Sequence, residues 1–230
     1  MINKILRLIV TTSFFLALVS IPLKAEQKIG VGVIGNIASF DTGGTETETT
    51  GDKESTTASV DETAEFGSLF VEVQTKTDSS MGLTLGLEFI PGSHVLGSQS
   101  RTDAESPADR DGDDGTYTGK AEVSNLSTLY VEPTFYVEDN WGIYLKAGVS
   151  YVSVETLETV PNSQYGDKDI FGGMYGIGVR ASLADGMFLK LEYAKTDYES
   201  MDFESNTGNK NKVTADIDQE ALKLAVGYSF

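Results

Sequence analysis

The chain has 230 residues, with 35 acidic and 17 basic side chains, one histidine and no cysteine. Disulfides, thiolate metal sites, a cysteine nucleophile, a lipidated N-terminal cysteine and a multi-histidine metal centre are therefore excluded. The charge balance argues against a nucleic-acid partner, which needs clustered cations. The length suits one domain and does not require two.

Residues 1–25 read as a secretory signal peptide. Lys4 and Arg7 give a positive start, Leu8 to Val19 a short apolar run, and Ser20-Ile-Pro-Leu-Lys-Ala25 a breaker with a cleavage point after Ala25. The run is short for an anchor helix, which needs about 20 apolar residues. Removal of Lys4, Arg7 and Lys24 leaves 14 cations against 35 anions, a formal charge of −21. No later stretch is long and apolar enough for a transmembrane helix, so any span of the exported chain, residues 26–230, is made of strands.

Eight alternating segments follow. In the first, Ile29, Val31 and Val33 share one face, and Lys28, Gly30 and Gly32 the other. Gly30-x-Gly32-x-x-Gly35 matches the dinucleotide-binding fingerprint literally. That motif needs a strand before it and a helix after it, and here a Thr- and Gly-rich stretch follows, so the glycines read as the small face of a strand. The second segment (67–75) sets Leu69, Val71 and Val73 against Ser68, Phe70, Glu72 and Gln74. The third (82–90) sets Leu83, Leu85, Leu87 and Phe89 against Thr84, Gly86 and Glu88, and the two form a hairpin.

The fourth segment has Leu129, Val131, Pro133, Phe135 and Val137 on one face and Tyr130, Glu132, Thr134 and Tyr136 on the other. Pro133 cannot donate to a ladder, so a bulge or break is expected there. The fifth sets Trp141, Ile143, Leu145, Ala147, Val149 and Tyr151 against Gly142, Tyr144, Lys146, Gly148 and Ser150. The sixth (171–183) sets Phe171, Tyr175, Ile177, Val179 and Ala181 against Gly172, Gly176, Gly178 and Arg180. The seventh sets Met187, Leu189, Leu191 and Tyr193 against Phe188, Lys190, Glu192 and Ala194. The eighth, Leu222 to Phe230, sets Leu222, Leu224, Val226, Tyr228 and Phe230 against Lys223, Ala225, Gly227 and Ser229.

The connections alternate strictly. Residues 77–81, 138–140 and 184–186 are short turns, and 41–65, 91–119, 155–169 and 199–215 are expected as long loops. An even strand count, with short turns at one end and long loops at the other, is the layout of an outer-membrane barrel. The aromatic residues near the ends of the apolar face (Trp141, Phe135, Phe171, Tyr228, Phe230) suit interfacial girdles.

On these residues the chain resembles the small eight-stranded OmpA-like outer-membrane β-barrel family. The most family-like runs are Gly176 to Leu183, Leu189 to Tyr193 and the terminal Tyr228-Ser-Phe230. The expected fold is all-β: an eight-stranded antiparallel up-and-down transmembrane β-barrel with short periplasmic turns and long extracellular loops, over residues 26–230. The resemblance implies a bacterial outer-membrane location, contact with lipid and lipopolysaccharide, and a C-terminal signal (Leu222, Leu224, Val226, Tyr228, Phe230) read by the barrel assembly machinery. It also implies a monomer without cofactor. Nothing follows the last strand, so no periplasmic peptidoglycan-binding domain is expected.

Eight strands leave an interior that side chains just fill. The inward charges are Glu72, Glu88, Glu132 and Glu192 against Lys146, Arg180, Lys190 and Lys223. Counted from the turns at about 3.3 Å per residue and about 45° tilt, six lie near mid-membrane, with Arg180 and Lys190 slightly lower. Isolated charges in so narrow a space would be costly. A network of ion pairs closing the lumen, with Tyr130 and Tyr144 beside it, is the expected arrangement; separately hydrated charges in a narrow channel are the alternative.

The long connections carry the acidity. Asp109, Asp111 and Asp113 have the one-three-five spacing of a calcium loop, but Asp114 replaces its glycine and Lys120 its bidentate glutamate. Diffuse binding of divalent cations fits better, and a solvated acidic surface is the simplest reading. His94, beside Ser93, is expected as a solvent-exposed loop residue and not a catalytic one, so no enzyme is expected. The function expected is structural or surface-interacting through the loops, with an unknown extracellular ligand. The alternatives are a small porin and an envelope lipid-modifying enzyme.

Overall fold

The structure is a computed structural model that describes residues 26–47, 49, 55–76, 80–103, 115–158, 165–206 and 210–230. The expected signal peptide and the three aspartates Asp109, Asp111 and Asp113 lie outside the described residues.

Among the described residues, nine strands form one sheet: β1 (Glu26–Thr47), β2 (Ser55–Lys76), β3 (Met81–Asp103), β4 (Gly115–Glu138), β5 (Trp141–Glu158), β6 (Lys168–Ser182), β7 (Met187–Tyr198), β8 (Met201–Glu204) and β9 (Lys212–Ser229). Each of β1 to β7 pairs antiparallel with the next, β7 pairs with β9, and β9 returns to β1. The sheet is thus an eight-stranded up-and-down barrel. The short β8 pairs with β9 alone and continues the wall beyond the end of β7. Closure is finished by two backbone bonds, Ile29 N–H to Phe230 O (3.0 Å) and Phe230 N–H to Ile29 O (2.9 Å).

The lower, short-turn end matches the alternation. Outward residues from Ile29 to Ile37, Leu69 to Val73, Leu83 to Phe89, Phe135 to Trp141, Ile177 to Leu191 and Leu222 to Phe230 include large exposed apolar side chains, with Leu145 59% and Phe135 57% exposed. At the turn Ala184–Gly186, Asp185 and Gly186 both take positive φ, 58° and 82°. The β4–β5 ladder runs Val131↔Ala147 and then Thr134↔Tyr144, so it lapses at Glu132 and Pro133 without changing register. The true register shifts on β4 lie between Ser124 and Ser127 and between Tyr136 and Glu138.

The upper end differs from expectation. Most of the four long connections is strand: β1 and β2 stay paired up to Thr47↔Ser55, and β3 and β4 up to Asp103↔Gly115. A strand of 22 residues rises roughly 50 Å at about 3.3 Å per residue and about 45° tilt, about twice an apolar band of about 25 Å. Threonine, serine and valine in 41–65 suit extended backbone. Residues 41–65 read as a loop because their inward positions are mostly small and polar, and the upper parts of β5 and β9 because the alternation changes phase there, which hides the period of two. On β9, Leu222 is the last outward apolar residue; above it Glu220, Asp218 and Asp216 point out while Ala221 and Ile217 are buried. On β5 the change falls between Tyr151 and Ser153, with Val152 and Val154 buried.

Those inward residues make a second core. Phe40, Ile90, Leu96, Leu126, Ile170 and Phe203 belong to one buried apolar cluster, with Phe66 and Tyr165 packed against it. The barrel therefore continues above its outward apolar belt as a hairpin-built extension with an acidic exterior and an apolar centre.

Candidate functional site

Among the described residues, the inward face of the lower barrel buries four glutamates and four cations on seven strands. Glu72 stands on β2, Glu88 on β3, Glu132 on β4, Lys146 on β5, Arg180 on β6, Lys190 and Glu192 on β7, and Lys223 on β9. All eight are buried.

The contacts run across the lumen as well as along the wall. Arg180 Nη1 donates to Glu72 Oε1 (2.9 Å), and Lys190 Nζ donates to Glu72 Oε2 (2.8 Å) and Glu132 Oε2 (2.7 Å). Lys146 Nζ donates to both oxygens of Glu192 (3.1 and 2.8 Å), and Lys223 Nζ to both oxygens of Glu88 (3.1 and 2.9 Å). Glu192 and Lys223 face each other in register on β7 and β9, yet each reaches a different partner. Lys223 thereby ties β9 to β3, and Lys190 ties β7 to β2 and β4. Every glutamate has a cation, so the four negative and four positive charges balance.

Neutral groups fill the remaining valences. Tyr130 Oη donates to Glu72 Oε2 (2.9 Å), Tyr144 Oη to Glu192 Oε2 (3.0 Å), Ser68 Oγ to Glu88 Oε1 (2.8 Å) and Gln74 Nε2 to Glu72 Oε1 (2.8 Å). Lys146 Nζ lies 4.0 Å from the centre of the Tyr130 ring, and the Arg180 guanidinium 3.9 Å from that of Phe188. Both contacts suit cation–π attraction in a dry site. Glu132 Oε1 is buried and makes no hydrogen bond, so Lys190 is the sole hydrogen-bond donor to that carboxylate among the described residues. The space left between Tyr130, Tyr144, Lys146, Lys190, Glu192 and Lys223 is a cavity of about 10 Å³, room for about one water.

The glycines of the inward face explain how so many large side chains fit. Phe70, Gly32, Gly227 and Phe188 form one rank across β2, β1, β9 and β7. The two rings meet at 6.0 Å above the two glycines. A Cβ on Gly32 would lie 2.6 Å from the Phe70 ring, and one on Gly227 2.3 Å from Phe188. Gly86 and Gly178 receive Tyr130 and Tyr144 in the same way, at 2.3 and 2.4 Å. The fingerprint-like Gly30-x-Gly32 thus lies on a strand wall, opposite Glu72 and Phe70.

His94 is not a solvent-exposed loop residue. It sits on β3 opposite Val123, half-buried, with its ring 4.9 Å from Phe66 and its Nε2 buried without a hydrogen bond. The expectation failed because β3 runs on past Ile90 instead of ending there. Ser93 beside it is exposed and opposite Ser124. Sequence reasoning also missed the upper apolar core and the glycine–ring ranks. The phase change at Glu220–Leu222 and at Tyr151–Ser153 was the signal for the core. Phe70 and Phe188 on an otherwise glycine-rich face were the signal for the ranks.

At the surface above the belt, Asp197, Asp218, Asp41 and Asp61 stand side by side on β7, β9, β1 and β2, in register and exposed. Lys195, two residues below, lies 3.8 Å from Asp197 and 3.8 Å from Glu220.

Comparison with a family of known proteins agrees with this architecture. The model of the outer membrane protein beta-barrel domain matches residues 11–230. A 22 kDa outer membrane protein of Rhizobium leguminosarum bv. viciae is 26% identical over 87 residues, which span 38% of this chain and 40% of that protein. Among solved structures, Ail, the attachment invasion locus protein of Yersinia pestis, in complex with the heparin analogue sucrose octasulfate, is similar. It has 11% identity, a TM-score of 0.46, and coverage of 90% of this chain and 100% of that one. OprG of Pseudomonas aeruginosa aligns with 14% identity, a TM-score of 0.46, and coverage of 86% and 96%. The chain belongs to the family of outer-membrane β-barrel domains, and its place is the bacterial outer membrane.

Proposed function

We propose that this protein is a non-enzymatic, non-conducting outer-membrane barrel whose role is structural and surface-interacting, carried by its acidic extracellular hairpins. The observation that carries the reading is the set of paired charges tying opposite walls of the lumen, Lys223 to Glu88 and Lys190 to Glu72 and Glu132. A solute passing through would have to break pairs whose members are desolvated, and a buried charge left without its partner costs about 3–5 kcal/mol. The apolar core above the network, around Phe40, Leu96 and Phe203, is a second barrier of different chemistry.

In this reading residues 1–25 are removed on export and the barrel works as a monomer without cofactor. Outward apolar residues of the belt contact lipid, and the acidic rim above them faces lipopolysaccharide. Leu222, Leu224, Val226, Tyr228 and Phe230 present the apolar face that the assembly machinery reads before closure. Truncation of Phe230 then impairs insertion, whereas Lys223→Ala leaves insertion intact and disturbs the lumen.

Planar-bilayer recording on the purified, folded protein tests the closed lumen. The expected result is no stable conductance; a stable, large conductance identifies a small porin and overturns the reading. A binding screen of the intact protein against one with its four long hairpins trimmed tests the surface role, which fails if trimming changes nothing.

A further inference from the structure

The edge of the extracellular extension shows how it takes a partner. β2 pairs with β1 along its full length, from Lys76 to Ser55, but with β3 only from Lys76↔Gly82 to Leu69↔Phe89. Above Leu69, β3 turns aside. Its ladder with β4 shifts register between Ile90 and Ser93 and again between Val95 and Gly97, with positive φ at Gly92 (92°) and, across the ladder, at Asn125 (54°). Bulges of this kind bend a strand. β3 then meets β2 through side chains: Phe66 packs on His94, and Val60 lies beside Gly97. Among the described residues, Ser55 to Ser68 have no ladder partner on the side away from β1.

An edge of this length is a template for a further strand; its protections here are the carboxylates of Asp61, Glu62 and Glu65 and the β3 side chains that meet it at Val60 and Phe66. It holds no lysine, arginine or proline, and Ser55 to Ser59, Asp61, Glu62, Thr63 and Glu65 are exposed. Asp61 and Glu65 point outward with the same parity as Leu69, and Asp61 ends the row of four aspartates. Like charges directly opposite on neighbouring strands are destabilising. A second copy of this chain added at the edge would bring its own Asp61, Glu62 and Glu65 against the row. A basic strand would relieve it.

We propose that the Ser55–Ser68 edge of β2 binds an extended, cationic polypeptide segment by strand addition, with basic residues four apart opposite Asp61 and Glu65. The inference rests on the surface-interaction reading above and names its partner class. Backbone bonds supply the affinity, and the aspartate row selects the charge.

The test uses the full chain folded in detergent and four fluorescein-labelled ten-residue peptides. One alternates threonine and lysine, one alternates threonine and glutamate, and two are the lysine peptide N-methylated at odd or at even backbone positions. The lysine peptide is expected to bind saturably at one per barrel, and the glutamate peptide not at all. One of the two methylated peptides loses at least tenfold in affinity while the other binds normally, because only one edge of a strand enters the ladder. The double variant Asp61→Asn, Glu65→Gln weakens binding at least tenfold and flattens its salt dependence without disturbing the fold. Equal binding of both methylated peptides would reduce the contact to surface adsorption and overturn the proposal. Self-association of the barrels without peptide binding, or no binding of any peptide, overturns it as well. Either failure, with the lumen closed and trimming-sensitive binding intact, removes strand addition and spares the functional reading; a stable conductance does the reverse.

Discussion

Below Ile37 on β1 and Leu222 on β9, outward residues are apolar and the inward face carries charge. Above Ser39 and Glu220 the outward face is acidic and the centre is apolar. The same strands build both halves in continuous register. The difference shows that the solvent on the outside, not the backbone, decides which face of a strand is greasy. Where lipid lies outside, the interior is filled with glycine, ring and paired charge. Where water lies outside, the interior is an ordinary apolar core. The lower half depends on specific pairings, and the upper half on burial of apolar area.

The largest expected effect falls in the lower half. Lys190→Met leaves Glu132 without its donor and Glu72 with one cation fewer, and should cost about 3–5 kcal/mol, as for one broken buried pair. Urea titration in detergent, with the heat-dependent gel shift of the folded barrel, measures it; an unchanged midpoint would make the ion pairs incidental to the fold. Next comes Leu96→Ala, at about 2–5 kcal/mol. Its loss is expected to stay in the upper half, so limited proteolysis should nick the hairpins while the gel shift survives. Collapse of the whole barrel would join two halves that the structure separates.

A smaller effect is expected for Gly227→Ala, whose added carbon meets the Phe188 ring at 2.3 Å. Overpacking of this kind costs about 1–3 kcal/mol. The companion Phe188→Leu in the Gly227→Ala background should recover part of it, and a thermal melt that showed no coupling would argue against the ring-over-glycine rank. The smallest change is at the rim. Asp41→Asn relieves repulsion from both Asp61 and Asp218, and should stabilise by about 0.2–1 kcal/mol at low salt. The gain should vanish as ionic strength rises; a gain that ignored salt would point to a cause other than charge.

Much of the lower barrel was legible because lipid enforces a strict alternation: Leu222 to Phe230 and Trp141 to Tyr151 identify both strand and outward face unaided. The inward charged residues were readable by parity. Which cation meets which glutamate was not, since that depends on the curvature that brings β9 across to β3. The upper half was misread as loop because its inward face takes over the apolar residues, so Asp216-Ile-Asp218 and Ser153-Val-Glu155 break the pattern begun below them. On β5 and β9 each half alternates on its own, and a change of phase links them. The bend of β3 that leaves β2 unpaired depends on bulges at Ile90–Ser93 and Val95–Gly97, which no period announces.

The closing seam has a mechanical consequence. β1 and β9 are laddered from Gly30↔Ser229 to Thr47↔Lys212, while β2 and β3 share only the stretch from Leu69↔Phe89 to Lys76↔Gly82. The junction of first and last strands is therefore the longer weld, and the seam two strands away is the short one. Pulled open, the wall should tear between β2 and β3, leaving β1, β2 and β9 together as one ribbon. Among the rivets resisting that tear are Ser68 on Glu88, which joins β2 directly to β3, and Lys223 on Glu88, which clamps β9 to β3 across the lumen.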